Sequence, residues 1–195
     1  MSLFPFALRR ARPPRPVDLP ARTPAGIRVY VFGDVHGRID LLRALFSAIE
    51  RDAGIGDPAR SLVVGLGDYV DRSMEPKAVI QAIVDGVAGC DLVTLRGNHE
   101  QMLVDFLENP ARHGAAWVAN GAFETLRSYD VPLNKLGRFD ASELQWIRDA
   151  LARQIPLAHL MLLQKMPLTY TCGDYLFVHA GVRAEVGIER QVASD

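Results

Sequence analysis

At 195 residues and 21.5 kDa, with 49% hydrophobic and 23% charged residues, the chain has the size and composition of one α/β domain with a sizeable core. A formal net charge of -1 gives no overall pull toward nucleic acid or a membrane surface, and no apolar run approaches the roughly 20 residues that cross a bilayer. Two distant cysteines, Cys90 and Cys172, exclude a disulfide framework and a Cys-rich zinc site, and point to free thiols in a reducing, cytoplasmic setting.

The opening Met1-Ser2-Leu3-Phe4-Pro5-Phe6 is too short and proline-broken for a signal-peptide core. Residues 1–25, rich in proline and carrying Arg9, Arg10, Arg12, Arg15 and Arg22, have little apolar material to bury and read as a flexible tail ahead of a domain over 26–195. Ile27-Arg28-Val29-Tyr30-Val31-Phe32 reads as a buried strand ending at Gly33. Leu41, Leu42, Leu45 and Ile49 mark one face of a helix that ends near Gly54. Ser61 to Leu66 is a second strand, Val79, Ile80, Ile83, Val84 and Val87 mark a second helix, and Asp91 to Leu95 is a third strand. Strand, helix, strand, helix, strand predicts two βαβ units with a parallel sheet and right-handed crossovers.

Residues 99–165 read as mostly helical. Helices are expected from His99 to Leu107, from Gly121 to Tyr129, from an Asp140/Glu143 capping box to about Gln154, and from Leu157 to Gln164. Leu168 to Thr171 and Tyr175 to Val178 form two last strands around a tight Cys172-Gly173-Asp174 turn. His113 and His159 read as structural or surface histidines, and Trp117 and Trp146 as packing residues.

Four polar clusters follow four of these strands: Gly33-Asp34-Val35-His36-Gly37, Gly67-Asp68-Tyr69-Val70-Asp71-Arg72, Gly97-Asn98-His99-Glu100 and His179-Ala180-Gly181. Ligands of open α/β sheets bind beyond the carboxyl ends of the strands, so the four clusters can share one site. Asp34 and Asp68 are 34 residues apart, and Asp68 and Asn98 are 30 apart. Each spacing is about one βαβ unit and sets neighbouring strand ends side by side. Asp34 and His36 can reach one cation, Asp68 can bridge two, and Asn98 with His179 can hold the second. Such nitrogen and oxygen donors without thiolates suit Mn²⁺, Fe or Zn²⁺, and the glycines at 33, 37, 67, 97 and 181 allow sharp turns and close approach. Singly, each cluster reads as a turn or a surface ion pair. Together and in order, they are specific.

In order and spacing the four clusters resemble the signature segments of the phosphoprotein phosphatases, the bacterial serine/threonine type within the calcineurin-like metallophosphoesterases, over residues 27 to about 185. The resemblance implies a β-sheet sandwich flanked by helices and a site for two divalent ions, Mn²⁺ first among them. Asp34, His36 and Asp68 would hold one ion and Asp68, Asn98 and His179 the other, with a bridging hydroxide as nucleophile. His99 would protonate the leaving oxygen, Asp71 would orient His99, and Arg72 would grip phosphate oxygens. The implied substrate is a phosphorylated protein; a dinucleoside polyphosphate or a small phosphate ester is the nearest alternative, and an impaired metal- or phosphate-binding module the alternative of another class. The retained His99–Asp71 pair speaks against that module.

Two features depart from the family's pattern. Ser73 stands where the family has glycine after the Asp-Arg pair, which strains the chain if that position needs φ > 0. No histidine follows His179, and neither Arg183 nor Arg190 sits in the context of the family's later phosphate-binding arginine. The expectation is a C-terminally incomplete domain, from a truncated gene product or a natural variant, lacking its last strands, with a weakened second cation site and almost no activity alone.

Overall fold

The computed structural model describes residues 20–56, 60–133 and 137–192, so most of the expected tail lies outside the described residues. Three parallel strands, β1 (Ile27–Phe32), β2 (Arg60–Gly65) and β3 (Asp91–Thr94), form one sheet in the order β1-β2-β3. The intervening helices are α1 (Ile39–Ala53) and α2 (Pro76–Asp85). Then come α3 (Asn98–Glu108), α4 (Pro110–Ala119), α5 (Ala122–Ser128), α6 (Ala141–Gln154) and α7 (Leu157–Lys165). The antiparallel hairpin β4 (Thr169–Cys172) and β5 (Tyr175–Val178) closes the fold, and a 3₁₀ turn over Ile188–Arg190 follows.

Strand β2 shows why the sheet is a middle layer. Side chains alternate across a strand. Val63 faces the helices and joins the core that all seven of them build, with Phe46, Ile80, Leu103, Trp117, Leu126 and Leu151 among its members. Leu62 and Val64 face the other way and pack with Cys172, Tyr170 and Phe177 of the hairpin. The expected helix-flanked β-sandwich is therefore present. Among the described residues β5, however, is no member of the parallel sheet; it pairs with β4 and approaches the strand ends from the opposite face. Ahead of β1, Ala21 and Arg22 bond to the hairpin, where the Arg22 carbonyl accepts from the Asp174 N–H at 3.0 Å.

Helix faces were the least legible part. In α1 the buried row is Ile39, Leu42, Phe46 and Ile49, whereas Leu41 and Leu45, expected inside, are 56% and 38% exposed. Four leucines and isoleucines on a helix of this length define two adjacent stripes, and the tertiary contacts choose between them. Val84 of α2 is likewise turned outward at 38%. Trp146 is not a core residue: it is 49% exposed and lines a shallow apolar cleft with Leu133, Phe139 and Ile147.

α4 was not foreseen. Its Asn109-Pro110 start reads as a break, but Asn109 is the N-cap, its side chain accepting from the Arg112 N–H, and Pro110 is the first helical residue, where no N–H is needed. Gly114 in its middle lowers helix propensity, yet a side chain there would collide with Leu144 of α6. The Asp140 cap and Glu143 of α6 form the expected capping box.

Candidate active site

Backbone hydrogen bonds carry the sheet's order into the loops beyond it. The Asp68 carbonyl accepts from the N–H groups of Val35 and His36, both at 2.9 Å, and the Tyr69 carbonyl accepts from Gly37. These bonds lock the loop after β1 to the loop after β2. Left-handed backbone concentrates here, with φ of 44° at His36, 58° at Asp68 and 68° at both Asp71 and Arg72. Residues with a Cβ pay of order 1–3 kcal/mol for such conformations, so the surroundings must hold them. Ser73 escapes this strain: its position does not need a positive φ, which Asp71 and Arg72 before it adopt. Of the five glycines expected to permit close approach, Gly97 is the clearest case, since a side chain there would strike the Asp68 carboxylate, while Gly33 and Gly181 have open space around them.

Glu100 does much of the holding. Fully buried at the start of α3, its carboxylate accepts four backbone N–H groups, from Asp68 at 2.8 Å, Tyr69 at 2.7 Å, Val70 at 3.1 Å and Gly97 at 3.0 Å. Burial pushes its pKa up, against the N–H groups of Val70, Tyr69 and Asp68, which favour the anion. It thus stitches the β2 loop to the β3 loop. The sequence carried a signal for part of this, a Glu at the third position of a helix whose N-cap N–H needs a partner.

The structure brings together all eight residues singled out from the sequence. The Nε2 atom of His36 lies 3.6 Å from an Asp68 carboxylate oxygen and 3.9 Å from one of Asp34. The Nε2 atom of His179 lies 3.4 Å from the other Asp68 oxygen and 3.1 Å from the Asn98 side-chain oxygen. Asp68 is 4% exposed and central: among the described residues it belongs to two groups whose donor atoms lie within 4.8 Å of one another, one with His36 and His99 and one with Asp34 and His179. The His36 and His179 Nδ1 atoms face the Val70 and Leu66 carbonyls at 2.8 and 3.0 Å. A carbonyl only accepts, so each ring carries a hydrogen on Nδ1 and turns Nε2 toward the carboxylates. At His179 the Nε2 atom also meets the Asn98 oxygen, so two atoms able to hold a cation face the same space. The donor set fits two divalent cations sharing Asp68.

Beside this cluster, the Nδ1–H of fully buried His99 donates to Asp71 at 2.7 Å. Asp71, also fully buried, accepts from the Trp117 indole N–H at 3.0 Å and the Thr125 hydroxyl at 2.5 Å, while its own N–H donates to Thr125 at 2.9 Å. Burial lowers the His99 pKa, but the hydrogen bond and charge of Asp71, with Asp68 behind it, outweigh burial and leave it raised. Trp117 and Thr125 were missed as site residues. They come from α4 and α5, and no local pattern marks a residue that reaches Asp71 from 46 or 54 positions away. Arg72 lies over both imidazoles, donating to the Nε2 atoms of His36 at 2.9 Å and His99 at 3.0 Å. A cleft of about 930 Å³ opens beside Asn98 and His179, lined also by Arg96, Gln101, Met102 and Leu168.

Acidic and imidazole donors grouped at the carboxyl ends of a sandwiched sheet, next to a buried His–Asp pair and an arginine, define a metallophosphoesterase. Residues 27–191 match the sequence model of the calcineurin-like phosphoesterases, and the chain belongs to that family. It is similar to serine/threonine-protein phosphatase 1 of Salmonella typhimurium (strain LT2), with 28% identity over 93 residues covering 48% of this chain and 38% of that protein. Its fold resembles the crystal structure of a candidate diadenosine tetraphosphatase, with a TM-score of 0.54 and 17% identity over 85% of this chain and 55% of that one. A Saccharomyces cerevisiae serine/threonine phosphatase similar to human PP5 aligns with a TM-score of 0.44 and 20% identity over 81% of this chain and 39% of its own. The chain thus spans under two thirds of each of these relatives.

Proposed function

We propose that this chain hydrolyses phosphate monoesters with two divalent ions, and that its substrates are proteins phosphorylated on serine or threonine. The observation that carries the reading is the buried His99–Asp71 pair beside the Asp68-centred donor cluster. A site that only bound metal or phosphate would have no use for an imidazole held in one orientation by a buried carboxylate. Asp34, His36 and Asp68 would hold one ion, and Asp68, Asn98 and His179 the other. Mn²⁺ suits the mixed donors, with Fe or Zn²⁺ as alternatives. When bound, the ions supply an activated water and neutralise phosphoryl charge.

The protein's own groups supply the rest. Asp71, fixed by Trp117 and Thr125, holds His99 with Nε2 toward the site, where that nitrogen, once Arg72 leaves it and it takes up a proton, would deliver the proton to the departing alkoxide. Arg72, whose Nη atoms are within 3.0 Å of both imidazoles, is placed to take two phosphate oxygens with its planar fork. Among the described residues no helix is long and apolar enough to cross a membrane, and both cysteines are free, in keeping with a cytoplasmic phosphatase. Assays with Mn²⁺, Fe or Zn²⁺ on p-nitrophenyl phosphate, a phosphoserine peptide and a dinucleoside tetraphosphate test the proposal. Metal-dependent turnover of the peptide above the other two is expected. Preference for the tetraphosphate would replace the protein substrate, and inactivity on all three with every metal would overturn the catalytic reading.

A further inference from the structure

The two contacts of Arg72 have a consequence that depends on the metal assignment proposed above. An imidazole nitrogen without hydrogen has one lone pair. On His36 that nitrogen is Nε2, because Nδ1 donates to the Val70 carbonyl. Guanidinium remains charged and has N–H donors only, so the 2.9 Å approach of Arg72 Nη1 fills that lone pair. A cation bound by Asp34 and Asp68, whose oxygens lie 3.9 and 3.6 Å from the same nitrogen, uses the same lone pair. One nitrogen cannot serve both.

We infer that Arg72 is an internal competitor of the cation held by Asp34, His36 and Asp68, and that metal uptake there turns the guanidinium away from His36 toward incoming phosphate. The competition is confined to one half of the site. His179 and Asn98 face each other and Asp68, and neither has a hydrogen bond to Arg72 among the described contacts. The movement needs side-chain rotation alone. The Arg72 backbone is fixed, its N–H donating to the Gly121 carbonyl at 3.2 Å, and its side chain lies at the exposed rim. The second Nη atom donates to His99 Nε2 at 3.0 Å, so the same rotation frees that nitrogen to take up a proton. One event would then assemble the metal, the phosphate clamp and the acid.

Calorimetric titration of the chelator-stripped chain with Mn²⁺ tests this without relying on turnover. Arg72→Ala is compared with Arg153→Ala, which removes the same charge from the exposed end of α6. Arg72→Ala is expected to tighten one of the two binding steps about tenfold, the worth of one charge-assisted hydrogen bond that no longer has to break. The other step, and both steps of Arg153→Ala, should stay within about twofold of the parent chain, a difference below 0.5 kcal/mol. Equal gains at both steps would reduce the effect to bulk charge and overturn the competition, as would a gain at neither step. A second reading comes from long-range ¹H–¹⁵N spectra of the stripped chain, in which Arg72→Ala should shift the His36 Nε2 resonance; an unmoved resonance would also overturn it. If the parent chain takes up no Mn²⁺, the metal assignment itself fails, and the competition with it.

Discussion

The two halves of the site are built to different standards. The inner half, Asp68, Asp71 and His99, is at most 4% exposed, and each of its side chains is held by residues of other elements. The outer half consists of Asp34 and Asn98, both in the open, and half-buried His179, which the hairpin delivers from the far side of the sheet. Electrostatics and hydrogen bonds gain strength away from water, so the inner half gains rigidity and a fixed tautomer. The outer half keeps access for ions and substrate. Strain sits in the inner half at Asp68 and Asp71, where Glu100 and the helices can hold it, and runs on into neighbouring His36 and Arg72.

Substitutions should separate the halves. Asp68→Asn is expected to have the largest effect on activity, because Asp68 alone faces both donor groups; it should lower bound metal at both positions, and elemental analysis of the purified variant checks this. His99→Asn comes next. Loss of a general acid costs roughly 10²–10⁴ in rate, with metal content retained, and metal loss equal to that of Asp68→Asn would erase the division between ligand and acid. His179→Ala should release one ion per chain and leave the other, along with the melting temperature, almost unchanged, as befits a residue of the open half.

Glu100→Ala probes the frame of the inner half. Four buried N–H groups lose their acceptor, at about 1–3 kcal/mol for each one that water cannot reach, so urea unfolding should show a clear loss of stability with the m-value retained. An equally stable variant would mean that the strained loop holds itself.

The smallest effect lies outside both halves. Burial, with the Lys77 charge, lowers the pKa of His159, which sits between Tyr129 and Gln81. With its folded pKa below the unfolded one, His159 takes up a proton more readily in the unfolded chain. Stability is then fully present above the ordinary histidine pKa, is lost as pH falls through it, and levels off below the folded value. The melting temperature should sag modestly between about pH 7 and pH 5, and His159→Gln should flatten that sag.

The ligand candidates Asp34, His36, Asp68, Asn98 and His179, with Asp71, Arg72 and His99, were legible in the amino-acid sequence because short polar clusters after apolar strands occupy positions that topology alone brings together. The order of the parallel strands and the capping box of α6 follow from equally local rules. Only tertiary structure decided which stripe of α1 is buried, since Leu41–Leu45 and Leu42–Phe46–Ile49 are both apolar and the neighbours choose. Only tertiary structure set the hairpin on the opposite face of the sheet, showed that Asn109-Pro110 starts a helix, and put left-handed backbone at Asp71 and Arg72 and not at Ser73. The partners of Asp71 were beyond the sequence for the same reason. Trp117 and Thr125 act through one indole N–H and one hydroxyl, and their meaning lies in distances between helices that no local pattern encodes.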